Sequence, residues 1–225
     1  MRIKILGVLA LLCFVSAASA QSPQWVAGTN YFAVDPAQRT NLPAGKIEVT
    51  EVFSYACPAC NAFYPFVDAL RKSLPASAVV DYVPAAFNAS EDWPVFQRAY
   101  LTAKALGIST KTHDAMFDAV WKTHQLETVD PQTERLRDPL PSLEDVAAWY
   151  HQQTGTPTQT FLAAAHSFGV DLQVHQADAY IMACQVDQTP TIIVNGKYRV
   201  DPSSAGGYAK MIQVVNYLVA QEARH

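Results

Sequence analysis

Apolar and polar positions alternate along Ile47-Glu48-Val49-Thr50 and run into an apolar Val52-Phe53 end, a pattern that predicts a β-strand over Ile47–Phe53. From Pro58 the period changes, with Phe63, Phe66, Val67, Leu70 and Leu74 recurring at helical spacing. Pro58 suits a first helical turn, where its missing N–H costs nothing. Pro65 lies deeper and predicts a kink. Val79-Val80-Asp81-Tyr82-Val83 reads as a second strand, stopped by Pro84. From about Asn88 to Cys184 the texture is helical, with apolar sets such as Phe96, Tyr100 and Ala103, then Met116, Phe117, Val120 and Trp121, then Val146, Trp149 and Tyr150. Ser142-Leu143-Glu144-Asp145 marks a helix start, a hydroxyl followed by acids in the first turn. The proline-rich Asp138-Pro139-Leu140-Pro141 before it is a connector. Asn88-Ala89-Ser90 fits a glycosylation sequon and equally a helix capped by Ser90.

The β pattern returns after Thr189-Pro190. Thr191-Ile192-Ile193-Val194, Asn195-Gly196 and Lys197-Tyr198-Arg199-Val200 predict a strand, a two-residue turn of the primed kind and a strand. A last helix is expected from about Tyr208 to Ala220, with Met211, Ile212, Val215, Leu218 and Val219 on one side. Residues 21–45, with Pro23, Pro36 and Pro43, read as an irregular lead-in. The expected class is α/β, with one sheet-forming unit interrupted by a helical insert.

Composition narrows the class further. Among 225 residues, half are hydrophobic and 16% charged, too apolar for a disordered chain, and no collagen, heptad or solenoid period shows. A net charge of -4 makes a phosphate-seeking surface, and so a nucleic-acid partner, a poor expectation. At the N-terminus, Met1-Arg2-Ile3-Lys4, the apolar run Ile5 to Val15 and the small-x-small triplet Ala18-Ser19-Ala20 have the three-part layout of an export signal, with cleavage expected after Ala20. The apolar run covers only about half of a ~30 Å hydrocarbon core at ~1.5 Å per residue, too little for a membrane anchor. Cys13 lies inside this run behind Leu12, where a lipoprotein site wants a small residue, so it is expected to leave with the peptide. The mature chain is expected to be soluble and exported.

Export changes how Cys57, Cys60 and Cys184 are read, because an oxidising compartment lets disulfides persist. Cys57-Pro58-Ala59-Cys60 sits where the first strand hands over to the first helix. There, unpaired N–H groups and the helix dipole converge on the first sulfur. An anion at such a site gains up to ~2 kcal/mol, enough to lower the Cys57 pKa by roughly one unit, and the thiolate is the nucleophile of disulfide exchange. Cys60, one turn inside, is expected to be shielded and to close the disulfide. A structural zinc site would need further ligands, yet no two of the six histidines stand at His-x₃₋₅-His spacing. A purely structural disulfide here would close a very short ring and constrain the unfolded chain little. Redox chemistry is the expectation, with no metal and no cofactor.

The sequence resembles the thioredoxin superfamily and, within it, the DsbA family of bacterial periplasmic thiol oxidases. The residues that carry the resemblance are Glu51-Val52-Phe53-Ser54-Tyr55-Ala56-Cys57-Pro58-Ala59-Cys60, Pro65, and Gln188-Thr189-Pro190-Thr191 leading into Val194-Asn195-Gly196-Lys197-Tyr198. It implies a thioredoxin-like domain in two parts, residues 21–87 and 179–225, around a helical insert at 88–178. It also implies a cis proline at Pro190 facing the cysteine pair, backbone groups of Thr189 offered to an extended substrate, and Pro58 and Ala59 beside them in the substrate site. Without the cysteine pair, Thr189-Pro190 reads as an ordinary strand entry. The resemblance makes Glu51 a buried acid that helps move the proton of Cys60. The alternative is an exposed strand carboxylate like Glu48, and since residues three apart on a strand face opposite ways, at most one of the two is expected beneath the site.

Two departures stand out. The family often carries a histidine donor just before the second cysteine; Ala59 occupies that place, which implies a less stabilised thiolate and a weaker oxidant. Cys184, six residues before Pro190, reads as a buried free thiol packed with Tyr180 and Ile181, the alternative being a resolving or partner-linking role.

The function implied is a periplasmic thiol:disulfide oxidoreductase that gives the Cys57-Cys60 disulfide to exported proteins bearing free cysteines, through a mixed disulfide at Cys57. Recycling by a membrane quinone-linked partner of the DsbB type is implied with it. The alternatives are a reductase or isomerase of the same fold and, remotely, an exported metal-binding module. Only residues 21 to 56 would precede Cys57 in the mature chain, too few for the dimerisation domain of dimeric isomerases, so a monomer is expected.

Overall fold

A computed structural model describes residues 25–40, 42–130 and 132–224. The expected export signal and Cys13 lie outside the described residues. Thirteen elements follow along these residues: β1 Phe32–Ala33, β2 Ile47–Phe53, α1 Pro58–Ser73, β3 Ala78–Pro84, α2 Trp93–Ala105, α3 Ser109–Trp121, α4 Leu143–Thr154, α5 Thr158–Ala165, α6 Phe168–Ala183, β4 Thr191–Val194, β5 Tyr198–Val200, α7 Pro202–Ala205 and α8 Tyr208–Glu222.

The five strands form one sheet in the order β1-β5-β4-β2-β3. β2 is central, parallel to β3 and antiparallel to β4, with Glu51 opposite both Tyr82 and Ile192. Its side chains divide by parity. Ile47 and Val49 join Phe63, Val67 and Leu70 of α1 and Met211, Val215 and Leu218 of α8 in one core. Val52 faces the other way, into a cluster with Ile181, Cys184, Val186 and Ile193. Each fully buried aliphatic side chain contributes roughly 1.5–3 kcal/mol, so these two layers fix the sheet between α1 with α8 and the α6 end. Thioredoxin-like architecture follows, with α2 to α5 and much of α6 inserted between β3 and β4.

The helical insert has its own core. Phe96, Tyr100, Met116, Phe117, Val146, Tyr150 and Phe161 are buried together, continuous with Phe53, Tyr55 and the two site cysteines. α4 begins with a complete capping box, the Ser142 hydroxyl accepting from the Asp145 N–H and the Asp145 carboxylate accepting from the Ser142 N–H. α6 runs without a break across position 178, so its last turn already belongs to the sheet layer through Ile181.

Two local expectations are corrected. The lead-in is not wholly irregular: Phe32 and Ala33 pair with Arg199 and Tyr198 as an edge strand too short to show a pattern. Asp92, not Ser90, holds the N-cap position of α2, without a side-chain capping hydrogen bond, and the Ser90 hydroxyl instead donates to Asn88 Oδ1 at 2.7 Å. Helix α1 is continuous through Pro65. In the β4–β5 turn, Asn195 at φ 53° and Gly196 at φ 66° take the primed conformation expected, but three residues, not two, separate the paired Val194 and Tyr198. Its ladder restarts with Val194 opposite Tyr198, leaving Lys197 outside β5. A Cβ on Gly196 would lie 2.1 Å from the Gln38 carbonyl oxygen, so only glycine lets the lead-in cross the turn there.

Candidate active site

Cys57 is the N-cap of α1 and Pro58 its first helical residue, so the sulfur stands where the first N–H groups of the helix lack intrahelical partners. Cys57 is 6% exposed and Cys60 is fully enclosed. Both are free thiols in this structure, as is Cys184. The tight turn before the helix is held by the Cys57 N–H donating to the Ser54 carbonyl and the Ala56 N–H donating to the Ser54 hydroxyl. From across the sheet the Thr189-Pro190 loop closes on the pair. Its peptide bond is cis, and the Cys57 thiol donates to the Thr189 carbonyl at 3.5 Å.

The two sulfurs are electrostatically unequal. Hydrogen bonding from Cys60 is the main force pulling the Cys57 pKa down, to about 6; the Thr189 side chain and the N–H groups of Cys60 and Ala59 add to it against the opposing effect of burial. Cys60 is pushed well up, by burial first, then by its hydrogen bond to Cys57 and the nearby charges of Cys57 and Glu51. Outer thiolate and inner thiol are therefore the favoured pair of states near neutral pH. The low value is reached with Ala59 in the place where a histidine donor was missed.

Glu51 is 2% exposed, on the α1-facing side of β2. Burial raises its pKa to about 8, against the lowering effect of the Arg71 guanidinium, and its Oε2 has no hydrogen-bond partner. Arg71 reaches in from α1 to donate to the Tyr82 hydroxyl. Glu48 takes the opposite face, only part-buried, with the Thr50 hydroxyl donating to it at 3.0 Å.

Several neighbours of the site were not recognisable as such in the sequence. The Trp121 indole N–H donates to the Tyr55 carbonyl at 2.7 Å. The Tyr55 hydroxyl and His113 Nδ1 lie 2.8 Å apart inside an aromatic cluster with Phe53, Tyr82 and Phe117. Burial holds the His113 pKa near 3, so this imidazole is neutral. The insert thus grips the residue two before Cys57 at both its carbonyl and its hydroxyl. In the sequence Phe117 and Trp121 showed only as members of an apolar set at helical spacing, and His113 only as one of six histidines.

Comparison with known proteins agrees with this geometry. A family model described as thioredoxin matches residues 42–214. The thiol:disulfide interchange protein DsbA of Pseudomonas aeruginosa is 32% identical over 222 residues, 99% of this chain and 97% of the relative. The chain belongs to the DsbA family. The DsbA of Azotobacter vinelandii is 36% identical over 186 residues, 81% of this chain and 79% of that one. Among solved structures, a Pseudomonas aeruginosa DsbA variant superposes with a TM-score of 0.76 at 32% identity, over 89% of this chain and 100% of the other. The DsbA of Xylella fastidiosa gives 0.75 at 29% identity, over 89% and 98%. Like its DsbA relatives, the protein is a thiol:disulfide oxidoreductase. No helix among the described residues is long and apolar enough to cross a membrane.

Proposed function

We propose that this DsbA-family protein works in the periplasm as a disulfide donor to newly exported proteins, with Cys57 as the exchanging sulfur and residues 1–20 as a cleavable export signal. The observation that carries the proposal is the inequality of the two sulfurs, an outer thiol near pKa 6 over a buried inner thiol. Stabilising the reduced form through a low-pKa thiolate makes a dithiol pair more oxidising. It also makes Cys57 a good leaving group when the mixed disulfide is resolved.

In the forward reaction a substrate thiolate attacks Cys57 Sγ of the Cys57-Cys60 disulfide. The S–S bond breaks, its electron pair leaves on Cys60, and Cys60 takes up a proton. Glu51, near pKa 8, is protonated at neutral pH and supplies that proton. The substrate is held alongside Thr189 and Pro190 and over Pro58 and Ala59. A second substrate thiolate then attacks the substrate sulfur of the mixed disulfide, and Cys57 leaves as a thiolate. The substrate emerges oxidised and the protein as a dithiol, which a membrane quinone-linked partner of the DsbB type returns to the disulfide.

In a Cys60→Ser variant the mixed disulfide loses its internal escape, so complexes through Cys57 should accumulate in the periplasm and run apart under reducing electrophoresis. Absence of such complexes overturns the mechanism. Equilibration of the purified pair with glutathione tests direction: a potential as low as that of thioredoxin overturns the donor role.

A further inference from the structure

Tyr208 opens α8, far from the cysteine pair in sequence, yet its hydroxyl donates to the Ala59 carbonyl at 3.1 Å. Its ring is wedged against Phe63 and Phe66 of α1, with centroids 5.4 and 5.5 Å away. The hydroxyl therefore has a fixed approach to the carbonyl of the residue just before Cys60.

We infer that Tyr208 is a positioning residue of the redox site, whose hydroxyl, by holding the Ala59 carbonyl, aims and polarises the Cys60 N–H that faces the Cys57 sulfur. The Ala59 carbonyl and the Cys60 N–H belong to one planar trans peptide and point in opposite directions. Anchoring the oxygen from α8 therefore restrains the N–H at the other end of the same amide. A hydrogen bond accepted by a carbonyl also strengthens the donor at the other end of the same amide, by roughly 10–30%. The Cys60 and Ala59 N–H groups are among those that stabilise the Cys57 thiolate. Ala59 carries only a methyl group, so no side chain between the cysteines can donate to that sulfur. Tyr208 supplies part of this support from another helix, through the backbone.

The inference rests on Cys57 being the reactive thiolate, as in the proposed function. In the reduced protein, Cys57 is titrated by thiolate absorbance near 240 nm, and the pair is equilibrated with glutathione. Tyr208→Phe keeps the ring and removes the donor. Its titration midpoint should rise by about half a unit, a threefold change in the thiolate equilibrium, and the pair should become two- to threefold less oxidising at pH 7. An isosteric 3-fluorotyrosine at position 208, a stronger donor, should shift the midpoint the other way. Opposite shifts support the role. Shifts of the same sign, or a fluorotyrosine protein identical to the parent, overturn it, and the fluorinated protein decides the matter if the phenylalanine variant does not fold. Cys57→Ser separates the underlying assignment: a titration that persists there refutes Cys57 as the thiolate rather than the role of Tyr208.

Discussion

Replacing Glu51 by Gln should make the protein more stable at neutral pH and change how its stability depends on pH. Glu51 titrates from about 8 in the folded protein, against 4.5 for an unperturbed side chain, and burial is the cause. A carboxyl whose folded pKa is raised costs nothing below the unfolded value. The cost grows as pH rises from 4.5 to 8, because the unfolded chain has released a proton that the folded one retains, and it is constant above 8. At 1.36 kcal/mol per unit the slope is about -1.4 kcal/mol per pH unit, giving about 3 kcal/mol at pH 7 and about 5 kcal/mol above pH 8. The amide of Gln inherits a site where Oε2 has no partner, which takes back about 1 kcal/mol. A net gain of about 2 kcal/mol at pH 7 remains, while at pH 4.5 the unpartnered amide leaves the variant roughly 1 kcal/mol less stable than the parent.

Cys57 complicates the wild-type profile of the dithiol form, since a thiol lowered from 9 to about 6 adds stability as pH rises through that interval. Between pH 6 and 8 the two slopes oppose each other, so the raw wild-type curve should look flat. The measurement is therefore made on the disulfide form, by urea unfolding at pH 4.5, 6, 7 and 8.5, comparing wild type with Glu51→Gln. A difference that does not grow with pH between 5 and 8 refutes a buried, late-titrating Glu51. The same variant should slow reduction of the disulfide at pH 7, because Cys60 then lacks its internal proton source.

Trp121→Phe removes the indole donor and leaves the buried Tyr55 carbonyl unpaired, which should cost about 1–3 kcal/mol in urea unfolding. A change below about 0.5 kcal/mol would show that the insert does not hold this loop through Trp121. Cys184 is fully enclosed and burial raises its pKa to about 11, so at pH 7 only about one molecule in ten thousand carries a thiolate there. Cys184→Ala should therefore leave exchange rates with a dithiol peptide within twofold of the parent; a larger fall would make it a participant in the redox cycle.

The elements that were legible in the sequence are those with local causes. Strand β2 and the hairpin were readable because a two-residue period and an Asn-Gly turn are properties of adjacent residues, and the Cys-Pro-Ala-Cys turn follows from the same strand-to-helix handover. Strand β1 was not, since two residues carry no period and its only reason to be a strand is the pairing with β5. The start of α2 was misplaced by two residues, since Asp92 at the N-cap position turns its carboxylate to the Thr128 hydroxyl at 2.6 Å in the insert, a contact with no local signature.

The candidate site divides in the same way. Residue type and spacing made Cys57 and Cys60 legible as a nucleophile pair at a helix start, whereas Thr189 and Pro190 as the loop facing them came only from the family resemblance. Alternation along β2 could say only that Glu48 and Glu51 lie on opposite faces. Which face is sealed depends on α1, Arg71 and Tyr82 meeting above Glu51, and only the folded sheet decides that. Tyr208 over Ala59, and Trp121 and His113 around Tyr55, are likewise tertiary outcomes. A hydrogen bond between residues 149 apart has no signature in either local segment, because its partners are brought together by the burial of other side chains.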